Sequence, residues 1–333
     1  MLIPVVPALL FKAATNVMNN LGFTSETIVE KVGLPHWQYG ESHTLVPGDH
    51  FYRLLGESAR ILGVDRFGYL VPIYTPISAL DAFGVKIGQT LTVYDAIRTF
   101  NIRYTQMSSI DRFWSVEDNE GLWWLRKRTQ VADRAGSQQV ELGAFLYMIQ
   151  TVRLGADSDW TPEKICLEGQ SHTAIDRLSE FGDTNIRVGQ GLSGMFIPRS
   201  VLPRSIRAER SSTLPLNKSA LFAEALPSNF TDSLGRLVRS YLPFGHPRIE
   251  EFADIAGMSV RSLQRRLKES GQTYKLVVDQ ARFQASQEYL RDPHIMLKDI
   301  ACELGYTDQA NFHRAFRRWA GVTPGEYRQL HLN

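Results

Sequence analysis

Cysteine is nearly missing from this sequence, with Cys166 and Cys302 alone among 333 residues. The two form no CxxC pair and stand in no Cys/His ligand spacing. A disulfide framework and a metal site are therefore not expected, and nothing in the chain calls for a cofactor. Cys302 falls inside a predicted helix and is expected as a buried thiol. Long apolar runs are missing too. The apolar stretch Leu2 to Phe11 is too short to span a bilayer, carries Pro4 and Pro7, and has no basic segment. Neither a membrane span nor a signal peptide is expected, and a reducing cytoplasm is the expected compartment. Catalytic signatures are absent as well: there is no GxSxG, HExxH, P-loop or dinucleotide loop, and the carboxylates are scattered. Gly189-Gln190-Gly191-Leu192-Ser193-Gly194 is glycine-rich, but no helix in phosphate-binding register follows, so it reads as a turn. An enzyme is not expected.

A strong charge of one sign is also lacking. Lys and Arg number 37 against 35 Asp and Glu, a net +2. From Phe230 onward there are 15 basic against 12 acidic residues, and before it 22 against 23. Any argument for a nucleic-acid partner must then rest on where the charges sit, not on their total.

What the sequence does hold is a repeat. Ala253-x-x-x-Gly257-Met258-Ser259, Leu263-x-Arg265-x-Leu267 and Gly271-x-Thr273 come first. Ala301-x-x-x-Gly305-Tyr306-Thr307, Phe312-x-Arg314-x-Phe316 and Gly321-x-Thr323-Pro324 follow. The offset grows from 48 to 49 to 50, which requires two single-residue slips. Such a repeat means one supersecondary unit used twice.

Each copy predicts helix-turn-helix. Ile249, Phe252, Ala253 and Ala256 fall at helical spacing, Gly257 ends the helix, and Ser259 caps the next. Leu263 and Leu267 bury that second helix and leave Arg261, Ser262, Gln264, Arg265 and Lys268 outward. In the second copy Leu297, Ile300, Ala301 and Leu304 form the apolar face. Gly305 breaks it, Thr307 or Asp308 caps, and Phe312, Ala315, Phe316 and Trp319 bury. Gln309, Asn311, His313, Arg314, Arg317 and Arg318 remain for the surface. Exposed charge on a helix is ordinarily a solvated face. Repetition of the glycine, cap and Arg spacing argues instead for a shared role. Arg can read guanine bidentately, Gln and Asn can read adenine, and flanking Lys or Arg can neutralise phosphate. Between the copies, Tyr274 to Leu290 lacks Pro and Gly and carries Leu276, Val277, Ala281, Ala285 and Leu290 as an expected buried stripe. As a helix it would span about 25 Å.

These residues resemble the AraC/XylS family of bacterial transcription regulators over about 230–330. The most specific part is Asp299-Ile300-Ala301, Leu304-Gly305-Tyr306, Asn311-Phe312, Arg314-x-Phe316-Arg317-Arg318 and Gly321-Val322-Thr323-Pro324-x-x-Tyr327-Arg328. Asn311 stands where a Ser often precedes the Phe region in that family. The resemblance implies an all-α DNA-binding domain with two helix-turn-helix units joined by a long helix, both reading successive major grooves of double-stranded DNA. It places base reading on Arg261, Gln264 and Arg265 in the first unit and on Gln309, His313 and Arg314 in the second. Arg314 has an alternative role as an internal brace. Backbone contacts fall on Ser259, Ser262, Lys268, Thr307, Asn311, Arg317 and Arg318.

The earlier part of the chain predicts an α+β domain. Ala8 to Leu21 reads as a helix stopped by Gly22, and a short helix capped by Thr24 or Ser25 ends at Val32-Gly33. Pro47 starts a third with Phe51, Leu54, Leu55, Ser58, Ala59 and Leu62 in register. Thr92 opens a fourth through Ala96, Ile97, Phe100 and Tyr104. Ile110 to Val116 and Leu122 to Thr129 predict a hairpin around the turn 117–121. Val140 to Leu154 is helical again. Lys164 to Glu168, Ile186 to Val188 and Met195 to Ile197 predict short strands, with a helix at Ala174 to Phe181.

Pro47-Gly48-Asp49-His50, Gly63-Val64-Asp65-Arg66-Phe67-Gly68, Thr90-Leu91-x-x-Tyr94-Asp95-Ala96, Trp160-x-Pro162 and Ile186-x-Val188 resemble the N-terminal domain of an AraC-type subset akin to ornithine- and virulence-linked regulators. In that subset the domain carries an arabinose-binding label, yet no sugar site is visible in these residues. The resemblance implies a small-molecule effector, a homodimer and contact with RNA polymerase. The alternative is a constitutive dimeric regulator whose N-terminal domain makes only protein contacts. Candidate ligand residues are Tyr104, Trp114, Trp124, Arg126, Arg128 and His172. Aromatics are ordinarily core, and Arg126-Lys127-Arg128 ordinarily reads as the solvated face of a strand. The expected layout is an effector or dimerisation domain over 1–205, a proline-punctuated linker over 206–229, and the DNA-binding domain over 230–333.

Overall fold

The computed structural model describes residues 3–31, 45–129, 134–169, 181, 184–206, 229–245 and 247–331. Its internal contacts divide the chain into two compact units, residues 4–226 and, with residues 1–3, residues 227–333. Apart from its ends, the linker expected over 206–229 lies outside the described residues, as do Val32-Gly33, His172 and all but the last residue of the helix expected at Ala174 to Phe181.

The first unit opens with β1 (Val5–Pro7), α1 (Ala8–Asn20) and α2 (Ser25–Lys31). Strand β2 (Leu45–Pro47) pairs antiparallel with β1 and leads into α3 (Gly48–Leu62). Next come α4 (Phe67–Tyr74), α5 (Asp81–Gly88) and α6 (Val93–Met107). Thr92 caps α6 by accepting from the Asp95 amide at 3.2 Å, as the sequence leads one to expect. The hairpin is β3 (Asp111–Glu117) and β4 (Gly121–Arg128), in register Asp111↔Arg128. Then follow α7 (Arg134–Arg153), β5 (Lys164–Cys166), β6 (Asn185–Arg187) and β7 (Ser193–Pro198). The five-stranded sheet runs β3-β4-β7-β5-β6, antiparallel except for the β5–β6 pair.

The pair β1–β2 and helices α4 and α5 were not predicted. Helix α4 carries Pro72 in its interior and has no side-chain cap of its own. Its ends are instead satisfied from α7. Gln139 accepts from the Gly68 amide at 2.7 Å, and Gln150 donates to the Pro72 carbonyl at 2.8 Å. These are distant partners, which local sequence rules cannot supply.

One face of the hairpin is buried. Leu122, Trp124 and Arg126 alternate inward along β4, and Arg126 is 1% exposed. The solvated-face reading of Arg126-Lys127-Arg128 therefore holds only for Lys127. Side chains on a strand alternate, so a basic run cannot face one way, and Asp111 on β3 draws Arg126 inward with an ion pair of 2.7 Å.

The second unit is all helical among its described residues, apart from loops and turns. It comprises α8 (Phe230–Tyr241), α9 (Ile249–Ile255), α10 (Val260–Glu269), α11 (Tyr274–Leu290), α12 (Leu297–Glu303), α13 (Gln309–Ala320) and α14 (Pro324–His331). Two expectations need correcting here. Leu276 is 41% exposed, because the buried stripe of α11 runs through Val277, Val278, Ala281 and Ala285 and leaves position 276 one step outside. Cys302 is exposed, because Ile300, Ala301 and Leu304 form the buried side of α12 and residue 302 falls opposite.

Candidate nucleic-acid interface

Two helix-turn-helix units stand on either side of the long α11: α9–α10 and α12–α13. In each the turn glycine is left-handed, Gly257 at φ 63° and Gly305 at φ 71°. The caps differ in chemistry but act alike. Ser259 Oγ accepts from the Ser262 amide at 3.2 Å, and Asp308 Oδ1 accepts from the Asn311 amide at 2.7 Å. Asp308, not Thr307, is thus the second cap, and the first slip of the repeat lies in the turn. The second lies at the helix ends, since Gly271 stands 12 residues past its cap and Gly321 stands 13 past its own. At the far ends Thr273 caps α11 by accepting from the Leu276 amide at 3.2 Å. Thr323 and Glu326 form a reciprocal capping box on α14, with bonds of 3.3 and 2.7 Å.

Counted from the caps, the two second helices superpose residue for residue. Leu263 and Phe312 are fourth and buried, as are Leu267 and Phe316 at the eighth position. Ser262 and Asn311 are third, Gln264 and His313 fifth, Arg265 and Arg314 sixth, and Lys268 and Arg317 ninth. The candidates Arg261, Gln264, Arg265, Lys268, Gln309, Arg314, Arg317 and Arg318 are exposed, while Ser262, Asn311 and His313 are half-buried. Arg265 and Arg314 thus lie opposite the buried pair on their helices, with Ser262 and Gln264, and Asn311 and His313, flanking that pair.

Their local engagement differs. On α10, Ser262 meets the cap hydroxyl at 3.0 Å and Arg265 reaches Glu269 at a loose 4.0 Å. On α13, Gln309 meets His313 at 3.1 Å and Arg314 donates to Asn311 Oδ1 at 2.5 Å. Asn311 in turn donates to Asp308, and Arg318 pairs with Asp279 of α11 at 3.1 Å. The expected burial of Trp319 is only partial. The hydrogen bond of Arg314 stays within its own helix.

The internal brace is a different arginine. Arg282, 6% exposed on α11, donates from Nε to the Leu304 carbonyl at 3.0 Å and from its terminal nitrogen to the Gly305 carbonyl at 3.4 Å. Its guanidinium lies 4.4 Å from the Tyr306 ring centre. Sequence reading missed it. The signal was a lone Arg beside Ala281 and Ala285 in an otherwise apolar stripe. The Tyr327-Arg328 ending also ties the unit together. Tyr327 accepts from Gln287 at 2.8 Å, and Arg328 donates to the Ile295 carbonyl at 2.7 Å.

The candidate ligand residues of the first unit are not all together. Tyr104 lines a cavity with Asp111, to which its hydroxyl lies at 3.4 Å. Trp124 stands behind that cavity, edge-on to Phe100 at 4.9 Å, and donates its indole N–H to Asn101 at 2.8 Å. Arg126 is the buried partner of Asp111. Arg128 is forked against Glu168 at 3.1 and 3.2 Å and reaches Ser137 at 2.7 Å. Trp114 alternates to the other face of β3 and takes no part. Burial pushes the Asp111 carboxyl up against the pull of Arg126, and burial likewise raises the phenols of Tyr52 and Tyr104, so both stay protonated donors. Among the described residues no cluster of His, Cys, Asp and Glu could hold a metal ion, and no helix is long and apolar enough to cross a membrane.

Comparison with known proteins finds matches for both parts of the chain. A family model described as the arabinose-binding domain of AraC transcription regulators, N-terminal, matches residues 22–206, more than half of the chain. A helix-turn-helix domain model matches residues 252–330. The chain is 23% identical over 335 residues to the HTH-type transcriptional regulator VirS of Mycobacterium tuberculosis, covering 94% of this chain and 93% of that one. It is 32% identical over 136 residues to the ornithine utilization regulator of Pseudomonas aeruginosa, covering 40% of each. Among solved structures, the transcriptional regulator CdpR of Pseudomonas aeruginosa is similar with a TM-score of 0.39 and 18% identity, over 92% of this chain and 96% of that one.

Proposed function

The chain belongs to the AraC family of transcription regulators, DNA-binding proteins and not enzymes, and from that premise we propose how its parts divide the work. Helices α10 and α13 enter successive major grooves on one face of the duplex. Arg261, Gln264 and Arg265 read bases in one, and Gln309, His313 and Arg314 in the other. Ser259, Ser262, Lys268, Thr307, Asn311, Arg317 and Arg318 hold the phosphates. The observation that carries this reading is the cap register: Gln264 with His313, and Arg265 with Arg314, occupy equal positions on two helices that bury equal positions. Donor-rich side chains of these types suit base edges and phosphates. Helix α11, at 17 residues, spans about 25 Å, the scale that separates two reading heads near one helical turn apart.

The first unit, with the linker after it, is an effector domain. It binds a small molecule, forms a homodimer and passes the signal to the DNA-binding unit and to RNA polymerase in the cytoplasm. Its cavity and buried polar cluster favour this reading over a purely structural dimerisation domain. Selection of duplexes from a random pool by the full chain tests the DNA reading. A two-part motif with parts about 10 base pairs apart is expected, with affinity falling steeply as salt rises. Failure to enrich any sequence at low salt contradicts it.

A further inference from the structure

A cleft of about 710 Å³ lies between the long helix α11 and α13. One wall is the stripe Lys275, Asp279 and Arg282, which share a helix face by their spacing of four and three residues. The other wall brings Asn311, Arg314 and Arg318. These three also belong to the polar set of α13 proposed above to meet DNA, so the cleft is continuous with that surface. Lys275 and Asp279 lie outside both copies of the repeat, and neither is assigned a role by it.

The charges in the cleft are unevenly committed. Four of its lining residues are cations, and Asp279 is the single carboxylate among them. Arg282 is spent on the Leu304 and Gly305 carbonyls at 3.0 and 3.4 Å. Arg314 donates to the uncharged Asn311 amide at 2.5 Å. Lys275 stands one turn before Asp279, the spacing of a helix ion pair. Asp279 nevertheless turns across the cleft to Arg318, at 3.1 Å. Lys275 is left exposed and forms no ion pair among the described residues. A 58% exposed Arg318 side chain is thus held to the wall by a 19% exposed acid, while a second cation beside that acid goes without.

Chemistry narrows the partner. The rings of the cleft serve the protein itself: the Tyr274 hydroxyl donates to the Pro247 carbonyl at 3.3 Å, and the Arg282 guanidinium lies 4.4 Å from the Tyr306 ring centre. A cation would meet mostly its own sign. An anion would meet Lys275 and Arg318 from opposite walls, and a phosphate can accept charge-assisted bonds from both. A duplex read by Gln309, His313 and Arg314 must also carry a strand of its backbone past the flank of α13.

We propose that this cleft seats DNA sugar–phosphate backbone, with Lys275 and Arg318 holding a phosphate from the two walls and Asp279 keeping Arg318 occupied until DNA arrives. The long helix is then part of the DNA surface as well as a spacer. This rests on the DNA reading above, and phosphate contacts of this kind set affinity without choosing sequence.

The test is duplex affinity of the full chain over a range of salt, on a selected duplex and on an unrelated one. Lys275→Gln is expected to weaken both by the same factor, roughly fivefold at low salt, and to lower the slope of log affinity against log salt by about 1. Asp279→Asn is expected to do the reverse and tighten both about threefold, since the pair it breaks is a partly exposed one of modest strength. Most of that gain should vanish when Arg318→Gln is added. Lys275 is exposed, so its variant carries the test if Asp279→Asn does not fold. A wild type that binds no duplex fails the DNA reading itself. Wild-type binding with Lys275→Gln unchanged in affinity and slope overturns the cleft alone. Weaker binding by Asp279→Asn, or an equal gain without Arg318, overturns the role given to Asp279. Inorganic phosphate separates a second source of the same chemistry. If Lys275→Gln abolishes a thermal stabilisation by phosphate, measured against chloride at equal ionic strength, yet leaves duplex affinity unchanged, the cleft takes a free anion and the DNA assignment falls.

Discussion

The two helix-turn-helix units share one plan and differ in what holds them. In the first, Gly257 is needed for its left-handed backbone alone, since a Cβ there would meet nothing within 4 Å. Phe252 packs between Tyr241 at 5.1 Å and Tyr274 at 6.1 Å, and Arg266 covers Phe230 at 4.3 Å. Support comes from behind the unit, and the outward face of α10 makes few bonds of its own. In the second, a Cβ on Gly305 would sit 2.4 Å from the Gly245 carbonyl oxygen and 2.6 Å from that of Leu242. Arg282 grips the same turn, and Asp308, Asn311 and Arg314 form a chain along the outward face. A repeat preserved in sequence can thus have one copy locked at its turn and the other left open. The locked copy presents its polar groups partly arranged before DNA arrives. The open one has more freedom to choose its partners.

The largest expected effect compares the two turn glycines. Gly257→Ala carries only the left-handed penalty of about 1–2 kcal/mol. Gly305→Ala adds a backbone collision and is expected to cost upwards of ~3 kcal/mol. Denaturant unfolding followed at Trp319, the single tryptophan after Trp160, measures both. Equal losses would erase the distinction between a locked and an open turn.

Next is the brace. Arg282→Met leaves two carbonyls without their donor and is expected to destabilise the second unit by about 2–3 kcal/mol. Base preference should weaken at the DNA segment read by α13 and persist at that read by α10. Selection from the same random pool would show it, and an equal loss at both segments would argue that Arg282 supports the whole domain instead.

The caps give the smallest contrast. Ser259→Ala and Asp308→Ala are each expected to cost about 1 kcal/mol. The Asp308 change should be the larger, because its carboxylate accepts from both the backbone and side-chain amides of Asn311, charge-assisted bonds, whereas Ser259 adds only a hydroxyl contact with Ser262. Unfolding midpoints of the two variants decide it, and a larger loss for Ser259→Ala would reverse the ranking.

Much of the helical part after residue 227 was legible in the sequence because its signals are local. A glycine, a cap three residues before its amide, and apolar residues at the fourth and eighth positions lie within one stretch of chain. Arg282 escaped because its partners at 304 and 305 come from another helix end. The N-terminal part, residues 4–226, was harder for the same reason. Its fourth helix is finished by Gln139 and Gln150, more than seventy residues away. The Asp111–Arg126 pair depends on hairpin register. Arg126 sits opposite Phe113, two positions along from the Asp111↔Arg128 pair, so both charges share the buried face. A register-aware reading of the hairpin would have brought them together, but the cavity itself needs α3 to α7 packed around it.

The central claim is that each unit reads its own DNA segment. Hydroxyl-radical footprinting of the full chain on a selected duplex tests it most directly, with Arg265→Ala and Arg314→Ala compared because both lie sixth from their caps. The wild type should protect two patches about 10 base pairs apart. Arg265→Ala should lose protection and base preference at one patch, and Arg314→Ala at the other. A single protected patch, or loss at the same patch in both variants, would contradict the claim.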